Sequence, residues 1–144
     1  MNNIRQISVF VENKPGRLSS ITQTLKNNDI DIRALSIADT KDFGILRIIV
    51  NDADKACAKL REASCTVTIT EVVAISINDE MGKLSEVMEL LNTADVNVEY
   101  MYAFLSKSDN RASIILRVDD NDKAHAAFVA SGITQLTEKD ICEM

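Results

Sequence analysis

VENKPGRLSSITQTLKNNDIDI (residues 11–32) leads from an apolar alternating run, through the only proline of the chain and the glycine after it, into a helical pattern and then a second strand-like run. Leu18, Ile21 and Leu25 recur at helical spacing, which predicts an amphipathic helix over 16–28. Upstream, IRQISVFV alternates with period two and places Ile7, Val9 and Val11 on one face of a half-buried strand. Downstream, DIDIRALSIA and ILRIIV, parted by the turn DTKDFG, read as a hairpin. DADKACAKLREA reads as a helix with Asp52 as its N-cap, and CTVTIT as a last strand of β-branched residues. The order of elements is β-α-β-β-α-β.

The same pattern returns. A shift of 66 residues carries Gly16 onto Gly82, Leu18 onto Leu84, Leu25 onto Leu91 and Asp29 onto Asp95, and the apolar strand positions follow. DADKA at 52–56 matches DNDKA at 120–124 with a shift of 68, so the second copy carries two extra residues, assigned to the turn SKSDNRA. The second set of elements is expected at 72–78, 82–94, 96–106, 111–118, 121–131 and 134–139. The fold class is therefore α+β, with two ferredoxin-like βαββαβ domains, 1–70 and 71–144, in tandem and packed side by side, because no glycine or proline separates CTVTIT from EVVAISIN. Phe10, Leu35, Ile37, Ile45 and Ile49 are placed on the sheet face away from the helices, where a second copy of the chain would cover them.

Composition narrows the functions. At 144 residues, with net charge −6 and acidic and basic residues interspersed, the chain has no concentrated basic face for nucleic acid or an anionic membrane. The alternating N-terminus is no apolar leader and no run approaches a membrane span, so a cytoplasmic location is expected. Cys57, Cys65 and Cys142 lack metal-ligand spacing and are read as reduced structural thiols; no metal site and no cofactor are expected. His125, the only histidine, has no partners at catalytic spacing and is assigned a structural or surface place. Tyr100, Tyr102 and Phe104 are assigned to one strand face together with Val98, as core.

Pro15 is pre-set for a turn, and Gly16 permits either a positive φ or the close approach of a ligand. The helix start behind it offers unpaired N–H groups and a positive dipole end, suited to a carboxylate or phosphate, although a ligand-free connection has the same local sequence. The corner E-N-x-P-G-x-L, the helix spacing and the N/D-I start of the next strand resemble an ACT domain, the ferredoxin-like amino-acid-binding module of phosphoglycerate dehydrogenases and acetolactate synthase small subunits. The resemblance covers copy one well and copy two more weakly.

That resemblance implies a free amino acid held where two domains pair edge to edge, touched by the β1–α1 corner of one and the start of the second strand of the other. It assigns Asn13, Pro15 and Gly16 with Asn97 to one site, and Asp79 and Gly82 with Asp31 to the other. Two amides hold a zwitterion without net charge, whereas two carboxylates repel its carboxylate, so the Asn13 and Asn97 site is expected to bind more tightly. The implied protein is a non-catalytic amino-acid sensor, a homodimer, with an amino-acid biosynthetic enzyme as a further partner. The alternative is a regulatory or assembly subunit of such an enzyme without a ligand of its own. An acylphosphatase-like hydrolase would need an arginine at the corner, and Arg17 becomes Lys83 in copy two.

Overall fold

The computed structural model describes residues 3–39, 42–104 and 110–144, which form two compact units, one within Arg5–Thr70 and one within Glu71–Met144 together with Asn3 and Ile4. The two units repeat one plan.

In the first unit, β1 (Asn3–Glu12) leads through the Pro-Gly corner to α1 (Arg17–Asn27), then β2 (Ile32–Asp39), β3 (Phe43–Val50) and α2 (Ala53–Glu62). β3 lies between β2 and β1, antiparallel to both, with Val9 opposite Leu46 and Ile37 opposite Leu46 on the other side. Ile7, Val9, Ile48, Leu25, Ala56 and Leu60 build the core between sheet and helices. Full burial of an aliphatic side chain of this size contributes roughly 1.5–3 kcal/mol, which outweighs the weak helix propensity of α1.

β4 (Val67–Asn78) joins the units. CTVTIT and VVAISIN, expected as two strands, are one strand of twelve residues, because neither a turn residue nor a proline interrupts the run. The second unit continues with α3 (Lys83–Thr93), β5 (Val98–Phe104), β6 (Arg111–Val118), α4 (Asn121–Ala130), β7 (Thr134–Gln135) and α5 (Glu138–Glu143). β6 lies between β5 and β4, and β7 pairs with β4. Phe128, fully buried where copy one has Leu60, centres its core.

Three expectations are corrected. A bulge in β2 between Ile32 and Ala34 slips the register by one, so Leu35 and Ile37 oppose Ile48 and Leu46 on the helix side, not the far side. The equivalent bulge in β5, between Val98 and Tyr100, splits the aromatic stripe: Val98 packs on the helix-side core, while Tyr100, Tyr102 and Phe104 oppose Arg117, Ile115 and Ser113 on the other face. The strand expected over 134–139 is two residues long and gives way to α5, because Thr137 and Asp140 form a capping box that starts a helix. Most of SKSDNRA lies outside the described residues.

Candidate functional site

Each corner is built by backbone bonds that recur from copy to copy. In the first, the Asn13 N–H donates to Asp42 O (3.2 Å), Lys14 N–H to Glu12 O (2.8 Å) and Arg17 N–H to Lys14 O (3.3 Å). In the second, Asp79 N–H donates to Asn110 O (2.8 Å), Glu80 N–H to Asn78 O (2.9 Å) and Lys83 N–H to Glu80 O (3.3 Å). Gly16 and Gly82 both have φ 86°, left-handed backbone that other residues adopt at a cost, and a Cβ at either would meet nothing within 4 Å. The glycines thus serve the turn, and the space outside them is open. Met81, fully exposed where copy one has Pro15, follows the same path.

Neither α1 nor α3 has a side-chain cap, and the first N–H of each helix, that of Arg17 and of Lys83, turns back to the carbonyl of Lys14 and of Glu80. The charge around them differs. Beside Gly16, Glu12 bridges Lys14 (3.1 Å) and Arg17 (3.8 Å), and the Lys14 hydrogen bond and charge, with Arg17 behind them, hold the Glu12 carboxyl below its ordinary range. The second corner carries Asp79, Glu80 and Glu86 against the single cation Lys83, which Glu86 holds at 3.3 Å, so it has an excess of negative charge. The first corner suits an anion better. Asn13 is exposed, and among the described residues nothing bonds its amide. Beside it a hollow of about 90 Å³ is lined by Leu18, Ile37 and Phe43. Leu18, at helical spacing with Ile21 and Leu25, and its counterpart Leu84 are 41% and 38% exposed at the corners.

The second-strand positions form an equally close pair. Asp31 N–H donates to Asn51 Oδ1 (2.9 Å) and Asn97 N–H to Asp119 Oδ1 (2.9 Å), while Asn51 and Asp119 donate their own N–H back to Asp31 O and Asn97 O. Asn51 and Asp119 were missed by sequence reasoning; the paired VND and VDD after β3 and β6 were the signal. The Asp31 carboxylate is held by Arg33 at 3.0 Å, whereas the exposed Asn97 amide has no partner among the described residues.

Asn13, Pro15 and Gly16 thus stand together in the first unit, as do Asp79 and Gly82 in the second. Asp31 and Asn97 do not join the corners of their own units. Glu12 opposes Phe43 while Ile32 opposes Val50, so seven residues of β3, about 23 Å, separate corner from strand start. β6 separates them equally in the second unit, between Arg111 and Val118. A free amino acid cannot span that length.

Outside the corners, His125 is buried, its ring nitrogens facing the amide oxygens of Asn3 (2.7 Å) and Gln135. It ties α4 to the start of β1 and to β7. Burial pushes the Cys57 and Cys65 thiols up, which keeps them protonated and unreactive at neutral pH. Among the described residues no helix is long and apolar enough to cross a membrane, and no cluster of His, Cys, Asp or Glu could hold a metal ion.

The sequence profile described as an ACT domain pair matches residues 2–144. A crystallised protein of Bacteroides thetaiotaomicron is 37% identical, with a TM-score of 0.93 over 99% of this chain and 98% of that one. The ligand-free regulatory subunit of aspartate kinase from Thermus thermophilus shares the fold at 16% identity, TM-score 0.67, over 92% of both chains. Aspartate kinase from Synechocystis does so at 20% identity, TM-score 0.62, over 92% of this chain and 26% of its own. No curated protein matches the chain. With the duplicated βαββαβ plan, the left-handed glycine corners and a profile match over nearly its whole length, the chain belongs to the ACT domain family, as an ACT domain pair.

Proposed function

We propose that this protein is a non-catalytic sensor of a free amino acid, which binds where the corner of one ACT domain meets the second-strand start of another. Family membership supports an amino-acid-sensing regulatory role in general terms, and the regulatory subunits among its structural neighbours are consistent with it. The observation that carries the finer reading is the separation of about 23 Å inside each unit. Each domain holds two polar half-sites that only pairing with another domain can complete.

The Asn13, Pro15 and Gly16 corner with Asn97 is the tighter site. The helix start and Arg17 receive the carboxylate, and the two amide side chains, neither engaged by the chain, take the ammonium and carboxylate edges. Asp79 and Gly82 with Asp31 form the weaker one, since Asp31 is already held by Arg33 and the corner is acidic. The domains, 1–70 and 71–144, act in a cytoplasmic homodimer that passes occupancy to an enzyme of amino-acid biosynthesis. Ligand binding at such a seam favours the pairing geometry that completes it.

A thermal-shift screen against the twenty amino acids tests the reading. At a hundredfold excess over Kd, a ligand of the folded state adds about 2.7 kcal/mol of stability, several degrees in Tm. One amino acid or a small group is expected to shift the wild type, with the shift reduced in Asn13→Ala and Asn97→Ala. A screen in which none shifts it removes the sensor reading. The second reading, an assembly subunit without a ligand, then gains from the half-exposed Leu35, Ile37 and Phe43.

A further inference from the structure

Between the start of α3 and the turn from α4 to β7, the second unit has a cavity of about 350 Å³, within the range of roughly 300–1,000 Å³ seen for small-molecule sites. Ile77, Val87, Leu90 and Ile133 form the apolar part of its lining. Arg111 dominates the polar part. Its Nε donates to Ser76 Oγ (3.0 Å), Nη1 to Asn78 Oδ1 (2.6 Å) and Nη2 to the Ser76 carbonyl (2.8 Å). These bonds fix the guanidinium against β4 and use three of its five N–H donors, leaving two. Among the described residues no carboxylate pairs with Arg111. The one carboxylate among the described lining residues, Glu86, is engaged by Lys83 at 3.3 Å.

The first unit supplies an internal comparison. Its equivalent cavity, about 310 Å³, has Phe10, Glu12 and Phe43 at the positions of Ser76, Asn78 and Arg111. Its lining cation, Arg17, is paired with Glu12 at 3.8 Å. Only the second unit therefore presents a pinned cation with spare donors beside apolar side chains.

We propose that this cavity, which borders the second corner through Lys83 and Glu86, is a ligand site apart from the Asn13 corner, for a small organic monocarboxylate with a short aliphatic chain. The carboxylate accepts the two remaining N–H donors of Arg111, and the alkyl group lies on Val87, Leu90 and Ile133. Charge-assisted bonds of this kind are about twice as strong as neutral ones, and the planar fork matches a carboxylate. Among the described residues no unpaired acid on the lining receives an ammonium, so the site selects simple acids over amino acids.

Sodium isovalerate, titrated into the isotope-labelled full chain and followed by NMR, tests this, with isovaleramide as the neutral control. Saturable shifts are expected at the Arg111 side-chain N–H and the Val87, Leu90 and Ile133 methyls, with the Gly16 and Asn97 amides unmoved. The amide and Arg111→Met should each bind at least about tenfold more weakly, the loss of one charge-assisted pair. Leu90→Phe, which fills the cavity and leaves the guanidinium in place, should weaken binding to a similar degree while the spectrum reports an intact fold. Absence of saturable shifts, equal binding of acid and amide, or shifts centred on the Gly16 corner would each overturn the proposal. The corner sensor would stand or fall separately, on the amino-acid screen.

Discussion

Ser64 and Gly132 occupy one position in the two copies, each just beyond a helix and each left-handed, with φ 66° and 67°. The following N–H returns to the helix in both, Cys65 to Leu60 O (2.9 Å) and Ile133 to Phe128 O (3.0 Å). The turn is the same, but serine adopts it against its preference. Gly132→Ser should therefore cost about 1 kcal/mol, and Ser64→Gly should gain somewhat less because glycine also widens the unfolded ensemble. Urea midpoints of the two variants decide this, and equal midpoints would show that the turn carries no strain. At the first corner, Glu12 has its carboxyl held low by Lys14 and then Arg17. A carboxylate lowered in the fold stabilises it above the unfolded value of about 4.3 and loses that contribution as pH falls through the folded value. An NMR titration should place the Glu12 midpoint below that of a free glutamate, and Lys14→Ala should raise it; the stability change is small because the pair is exposed.

Helix starts separate into two kinds. Asp52 and Asp120, both at φ −144°, accept the backbone N–H of Lys55 and Lys123 at 3.1 Å, and Thr137 caps α5. The helices that open at the corners, α1 and α3, have a left-handed glycine there instead and no side-chain cap. Their first N–H, of Arg17 and Lys83, bonds back into the corner turn at 3.3 Å, and no side chain covers either helix start. Asp52→Ala and Asp120→Ala should each cost about 1 kcal/mol in urea unfolding, and a loss confined to one of them would break the equivalence of the copies. The Asp52 cap was legible because aspartate stands directly before an amphipathic run. The Thr137 cap was legible in principle, as threonine three residues before an acid, but its helix is too short to show a period.

At the scale of the molecule, β2 in the first unit pairs with β3 and β5 in the second with β6, and each has one partner strand among the described residues. On β2 the bulge turns Leu35 and Ile37, 55% and 47% exposed, to the helix side of an unpaired edge. A homodimer is expected from this edge. Light scattering should give twice the 15.9 kDa chain mass, and Ile37→Lys should shift the population toward monomer. A wild-type mass of one chain would remove the dimer.

The sequence by itself determined the duplication, the βαββαβ order and the identity of the corner residues, because hydrophobic period and turn chemistry are local and were written twice. Gly16 and Gly82, aligned by a shift of 66, share one φ. Tertiary structure alone decided which face Leu35, Ile37 and Tyr100 occupy, since a one-residue bulge leaves the apolar spacing almost unchanged yet inverts every side chain beyond it. It alone fused two expected strands into β4 and brought Arg111 onto Ser76 and Asn78, residues more than thirty positions apart, because strand pairing is set by long-range packing that no local pattern encodes.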